Sequence, residues 1–376
     1  LYEFNVIIGP EKYRHIREIN QFIDLSDFKS VFITANNYVP FKHNVNYSNS
    51  QINIILPDLI VKPFVRKPYG PVSFINLKNL DKMLTGDLIN CVELYSFVSS
   101  KCVKIAKQKK IKICLSSWET ISSNPLFYFP PYSFNVNNVK NSTDMFIVPT
   151  HKAALCLENI KIDKEKIKVI KPGIDTLKFK PSKHYHDKFR ILFVGRLDSE
   201  KGINILLESF LKLYDKIKEV ELWFCGPTRS GKKLFDYLNY LSSKYPIKIF
   251  GDVPNDKLSS IYNQCDVLCL PSIDRTKWGF KIWEEQFGWT LVEAMSCGLP
   301  IIASDCGAIQ EVIGSHNFLV NQNSSKMLND AFTKLVENPN LLKEIGKMNR
   351  LRALQFYDIN KQRVKLNDAM INLIES

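Results

Sequence analysis

Two segments in the second half of the chain combine charged side chains with glycine at spacings that suit a phosphorylated ligand. The first, VGRLDSEKG at residues 194–202, follows a short β-branched run and precedes a helical pattern. A turn at the carboxyl end of a parallel strand lies where open α/β sheets bind ligands. Arg196 can take phosphate oxygens bidentately and Lys201 can act as a point charge, a combination that suits a diphosphate. The alternative is that both cations pair with Asp198, Glu200 or solvent. The segment is neither a Walker loop, because GxxxxGK[ST] spacing is absent, nor a GxGxxG dinucleotide turn.

The second segment, EEQFGWTLVEAMSCGLPIIASDCGAIQEVIG at residues 284–314, is more specific. Gly288 stands just ahead of a helix whose apolar positions include Leu291, Val292, Ala294 and Met295. A glycine there lets a ligand approach the free amides of Phe287, Gly288, Trp289, Thr290 and Leu291, and the helix dipole favours an anion. Glu293, expected in the first turn, could accept hydrogen bonds from vicinal ribose hydroxyls, and Glu285 on the preceding loop could hold sugar hydroxyls. Two plainer readings stand beside this one. Thr290 and Glu293 have the S/T-x-x-E form of a capping box, and Glu284 with Glu285 could be a solvated pair. A helix cap, however, needs neither Gly288 nor a second carboxylate.

The elements that must position these residues alternate between strand and helix. Strands are expected at residues 4–8, 31–34, 52–56, 88–92, 111–115 and 145–148, with a helix over 95–109. Residues 171–187, rich in proline and charge, read as an interdomain linker. Beyond it come strands at 190–194, 221–225, 247–250, 266–270 and 300–304, and helices at 203–216, 232–244, from 256, and at 290–297. The fold class is therefore α/β: two doubly wound Rossmann-like domains facing each other across a cleft. Residues 1–175 would form the acceptor-side domain and 176–358 the donor-binding domain.

Composition narrows the setting. The 376 residues carry a net charge of +13. Through residue 180, 25 Lys and Arg face 15 Asp and Glu, a surplus of ten, so the first half is the basic one. Such charge suits anionic lipid, phosphorylated substrates or nucleic acid without choosing among them. The Lys-rich helix at 95–112 could touch an anionic membrane, or be an ordinary amphipathic crossover helix. Nine cysteines without a CxxC pair read as reduced core residues. With no apolar stretch long enough to span a bilayer and no signal-like start, a cytoplasmic location is expected, with peripheral contact at the inner membrane face left open.

Residues 190–314 resemble the C-terminal domain of the retaining GT-B glycosyltransferases of family 4. The resemblance rests on VGRL-x-x-x-KG at 194–202, Pro271 with Ser272 after a strand, Glu285 and Glu293 in E-x7-E, and the Cys297-to-Pro300 stretch. It continues weakly over about residues 85–375. It implies that Arg196 and Lys201 hold a donor diphosphate, Glu293 the ribose and Glu285 the transferred sugar. Gly195 belongs to the same donor site, and main-chain groups around Val253 would touch the base. It implies also that residues 359–376 form a helix crossing back to the first domain. No cofactor and no metal would be needed, the nucleotide-diphosphate sugar being a substrate. The implied reaction is retaining transfer of a hexose to a glycan, lipid-linked or small-molecule acceptor. An epimerase or hydrolase of GT-B type is the alternative; a nucleic-acid-binding or scaffold protein is a weaker one, and no nucleic acid is expected as partner. The first half departs from the family pattern. Its first turn has Gly9 followed by Pro10 instead of a glycine-rich loop, and Glu93 and Glu119 stand where relatives carry histidine. Either glutamate could orient an acceptor or be a strand-end surface carboxylate; of the six histidines, His15 lies on the first expected helix and could face the cleft.

Overall fold

A computed structural model of the protein describes residues 1–9, 21–22, 24–35, 46–50, 52–54, 75–182, 186–228 and 232–376. Pro10 and His15 lie outside the described residues, as does the end of the strand expected at 52–56. The chain forms two compact units, one made of Leu1–Gly173 with Ile359–Ser376 and the other of Ile174–Asp358.

The first unit is built on β1 (Tyr2–Gly9), β2 (Phe28–Ala35), β3 (Asn46–Ser50), β4 (Ile52–Ile54), β5 (Ile75–Leu77), β6 (Leu88–Val92), β7 (Lys112–Ser116), β8 (Met145–Val148) and β9 (Ile167–Val169). Seven of them make a parallel sheet in the order β3-β2-β1-β6-β7-β8-β9. The order reverses direction beside β1, as in a doubly wound fold. β4 pairs with β5 in a separate antiparallel hairpin, so the described part of the strand expected at 52–56 is not in the main sheet. The outer strand is instead β3, with the polar sequence NYSNS. An edge strand is held by backbone bonds on one side and does not need the apolar runs that mark central strands.

Both faces of this sheet are covered, which explains the near-continuous apolar character of its central strands. Leu88 joins Phe4, Val6, Phe28, Phe32, Cys114 and Met145 on one face. Its neighbour Ile89 joins Cys91, Ile113, Leu115 and Phe146 on the other. The helix Ile359–Glu375 closes the first face with buried Leu366 and Met370.

The second unit continues with β10 (Phe189–Val194), β11 (Val220–Cys225), β12 (Ile247–Gly251), β13 (Val267–Leu270), β14 (Arg275–Lys277), β15 (Phe280–Trp283), β16 (Ile301–Ser304) and β17 (Phe318–Val320). Its parallel sheet runs β12-β11-β10-β13-β16-β17. β14 and β15 form an antiparallel hairpin that sequence periodicity did not mark. Part of the segment expected to be linker packs within this unit. Ile174 bridges to Asp358, and the buried Phe179 lies edge-on to Tyr262.

Candidate active site

The strand order of the second sheet reverses between β10 and β13, and ligands in open α/β sheets bind outside the carboxyl ends at such a point. The turn after β10 carries Gly195, Arg196 and Lys201; the segment after β13 begins with Pro271 and Ser272. The two are pressed together at Gly202. That residue has φ +69°, and a Cβ there would stand 1.9 Å from the Pro271 carbonyl oxygen, so only glycine fits. The Ile273 amide donates to the Glu200 carbonyl at 2.8 Å, tying the same two loops.

This contact brings the two sequence motifs into one cluster. Lys201 Nζ donates to Glu285 Oε2, and Ser272 Oγ donates to the same oxygen at 2.8 Å. The indole of Trp283 lies under the ammonium, 4.8 Å away. Ala308 donates its amide to the Glu285 carbonyl at 2.8 Å. Glu285 is thus fixed at its backbone and at its carboxylate. Glu284 and Glu285 are both buried, and Lys281 Nζ donates to Glu284 Oε2 at 3.1 Å. The two glutamates are therefore not a solvated pair.

Arg196 behaves differently from Lys201. Its guanidinium donates to Asp198 Oδ2 and, at 3.4 Å, to Glu200 Oε1. The pairing with Asp198 and Glu200 entertained from the sequence is thus present for Arg196, while Lys201 has found Glu285. Arg275 approaches Glu200 as well, at 4.0 Å. The side chains of Asp198 and Glu200 are 7% and 11% exposed, against 31% for Arg196.

The helix of the second motif spans Trp289–Ser296, with Gly288 as its N-cap at φ +81° and no side-chain cap bond. The capping-box alternative is not formed, because Thr290 lies inside the helix. Glu293 is in the second turn, not the first, and is buried. Its carboxylate accepts from the Tyr262 hydroxyl at 2.9 Å and from Asn255 Nδ2 at 3.3 Å. Both donors sit on the helix Asn255–Tyr262, which directly follows the half-buried Val253 and the rest of residues 251–254. The acidic residue assigned to ribose and the segment assigned to the base are therefore adjacent. Phe287 is buried, its ring 5.4 Å from Trp289 and 5.9 Å from Tyr357, which anchors the loop ahead of the helix; Leu291 is buried in the same core.

Ser272, Asn255 and Tyr262 were not singled out as functional from the sequence. Ser272 had a signal in the Pro-Ser pair; Asn255 and Tyr262 had none beyond lying on a short helix. In the first unit, Glu93 and Glu119 are both buried rather than at the surface. Glu93 accepts from Ser117 Oγ and the Trp118 amide, and Glu119 from the Thr120 and Ile121 amides. Both brace the loop after β7. Among the described residues, no group of three or more His, Cys, Asp or Glu is placed to hold a metal ion, and no helix is long and apolar enough to cross a membrane.

Two doubly wound α/β units in one chain define the GT-B class of fold, and solved structures agree. A glycosyltransferase from Rickettsia africae superposes with a TM-score of 0.75 at 17% identity, covering 100% of this chain and 99% of that one. The Anabaena protein HepE, solved in complex with UDP, gives 0.74 at 16% identity, covering 99% and 100%. Residues 175–352 match the family of glycosyl transferases group 1. An uncharacterized glycosyltransferase of Methanocaldococcus jannaschii is 30% identical over 162 residues, which are 40% of this chain and 39% of that protein. The D-inositol 3-phosphate glycosyltransferase of Corynebacterium urealyticum is 27% identical over 222 residues, 53% of this chain and 50% of that one. The matched region thus spans half or less of these two relatives.

Proposed function

We propose that the protein is a retaining, metal-independent glycosyltransferase that moves a hexose from a nucleotide-diphosphate sugar to a glycan, lipid-linked or small-molecule acceptor. The observation that carries this reading is the Lys201–Glu285 pair, which joins the cationic turn after β10 to the loop ahead of the Gly288-capped helix. In this scheme Arg196 and Lys201 take the diphosphate, with the amides of residues 287–291 on its other side. Gly195 and Val253 lie along the nucleotide, Glu293 receives the ribose hydroxyls and Glu285 the hexose. The bond from the anomeric carbon to the diphosphate oxygen breaks as the acceptor oxygen bonds to that carbon on the same face. The acceptor's hydroxyl proton passes to the departing phosphate oxygen. Fixed cations and helix amides act most on the oxygen that becomes anionic, so they lower the barrier more than they tighten ground-state binding.

Thermal melting with UDP-, GDP- and ADP-sugars tests donor binding, since a ligand of the folded state raises the midpoint. A shift with one of these families, together with a glycosylated product of retained anomeric configuration when acceptor is supplied, is the expected result. Sugar release or epimerisation at the same rate without any acceptor would replace transfer by the hydrolase or epimerase reading.

A further inference from the structure

The first unit carries a surface that the donor chemistry leaves unexplained. Residues 120–139 contain no charged side chain, in a chain that is 24% charged. Within that stretch Tyr128, Phe129 and Phe134 are 57%, 58% and 67% exposed. Single exposed apolar residues are ordinary, but aromatic rings grouped at one place mark a site of interaction.

The segment that bears them is firmly held. The carboxylate of Glu93, at the end of β6, accepts from Ser117 Oγ at 3.0 Å and from the Trp118 amide at 2.8 Å. Glu119 accepts from the Thr120 and Ile121 amides at 3.0 Å and from Asn124 Nδ2 at 2.6 Å. Phe127 is buried, 6.3 Å from the ring of Tyr95. The exposed rings therefore stand on a preorganised loop, which lowers the ordering cost of binding.

Cations flank them. The helix Tyr132–Ser142 lies beside the helix Phe97–Lys109, with Asn138 Nδ2 2.9 Å from both the carbonyl and hydroxyl oxygens of Ser100. Phe134 is one turn before Asn138 and so lies on the same stripe. Lys101 is next to Ser100, and the exposed Lys104 lies one turn further on, level with the end of the helix Tyr132–Ser142, since Phe97 faces Tyr132 and Ser100 faces Asn138. Neither the helix Phe97–Lys109 nor residues 120–139 contains Asp or Glu. Exposed aromatic rings beside cations of a single sign match the headgroup layer of a bilayer, where rings sit at the interface and lysines meet phosphates.

We propose that this face of the first unit docks on an anionic lipid surface, seating Tyr128, Phe129 and Phe134 in the headgroup region with Lys101 and Lys104 on lipid phosphates. The loop follows β7 and the lysine helix begins after β6, so the loop and the first turns of that helix lie at the carboxyl edge of the sheet, where such sheets bind ligands. On the transferase reading proposed above, on which this last step rests, the acceptor is carried by a lipid and meets the enzyme at that edge.

The full chain is sedimented with vesicles of phosphatidylcholine alone and with about one third phosphatidylglycerol added, at low salt and at roughly 0.5 M salt. Binding to the anionic vesicles only, weakened by salt, is expected. Phe129→Ser with Phe134→Ser, and separately Lys101→Gln with Lys104→Gln, should each lower partitioning about tenfold. No sedimentation, equal sedimentation with neutral vesicles, or wild-type binding by the phenylalanine variant overturns the proposal. Nucleotide-sugar melting shifts, measured in the same samples, separate the two readings. Retained shifts with lost vesicle binding remove the docking surface alone, and lost shifts with retained vesicle binding remove the donor reading alone.

Discussion

Lys201 and Glu285 carry a structural and a chemical load that substitution can separate. Their side chains are 12% and 11% exposed, so Lys201→Ala leaves a carboxylate buried with Ser272 as its remaining cluster donor. Removing one partner of a buried pair costs about 3–5 kcal/mol, whereas replacing both by neutral groups of similar volume costs far less. Lys201→Ala should therefore lower the urea midpoint sharply, and Lys201→Met with Glu285→Gln should recover most of it. On the proposed transferase reading, turnover should stay about 10²–10³ below wild type in both, because the cation assigned to the leaving phosphate is gone in each. Transfer rates that recover along with stability would reduce the pair to a structural contact. Arg196 is itself 31% exposed, but the side chains of its partners Asp198 and Glu200 are only 7% and 11% exposed, so Arg196→Ala should also lower the midpoint, through the buried carboxylates whose cation it removes, while turnover falls.

At the level of elements, the close approach of the β10 turn to the β13 end is the joint on which the site depends. Gly202→Ala places a methyl 1.9 Å from the Pro271 carbonyl oxygen at a φ of +69°. We expect a loss of about 2–4 kcal/mol, read as a lower denaturant midpoint at unchanged slope. The hairpin of β14 and β15 has a titratable base. Burial opposes the charge of Asp274, but hydrogen bonds from Lys281 and Cys306 outweigh it and hold its carboxyl below the usual range. Burial likewise opposes the charge of Lys281, which bonds to Asp274 and Glu284 raise above the usual range. The Asp274 contribution is present above the unfolded value of about 3.9 and is lost as pH falls through its lower folded value. The Lys281 contribution is present below about 10.4 and is lost as pH rises through its higher folded value. Amide exchange in the hairpin, corrected for intrinsic rates, should be most protected between those limits, and Asp274→Asn should remove the acid-side loss. Sequence revealed the central strands and both glutamates because parallel strands are apolar throughout and E-x7-E has a fixed spacing. It concealed β3, whose polar edge sequence lacks that pattern, and the hairpin, whose strands are only Arg275–Lys277 and Phe280–Trp283. It also concealed Tyr262 and Asn255, because their bonds to Glu293 span 31 and 38 residues and leave no local spacing to read.

At the scale of the whole chain, its last residues complete the core of its first. Leu366 and Met370 are buried among Phe4, Val6, Phe28 and Leu88, and Asn367 Nδ2 donates to Asp27 Oδ2 at 2.7 Å. The sheet face made by β1, β2 and β6 therefore depends on a helix that the chain reaches only after the second unit is made. Met370 is fully buried, and truncating such a side chain costs about 2–5 kcal/mol because the cavity relaxes incompletely. Met370→Ala should accelerate amide exchange in Tyr2–Gly9, Phe28–Ala35 and the helix Ile359–Glu375 together, since these share one core. Met370→Leu, which conserves volume, should leave exchange near wild type. Peptide-resolved exchange that quickened only in the terminal helix would mean that this helix frays on its own and that the first sheet holds its face without it.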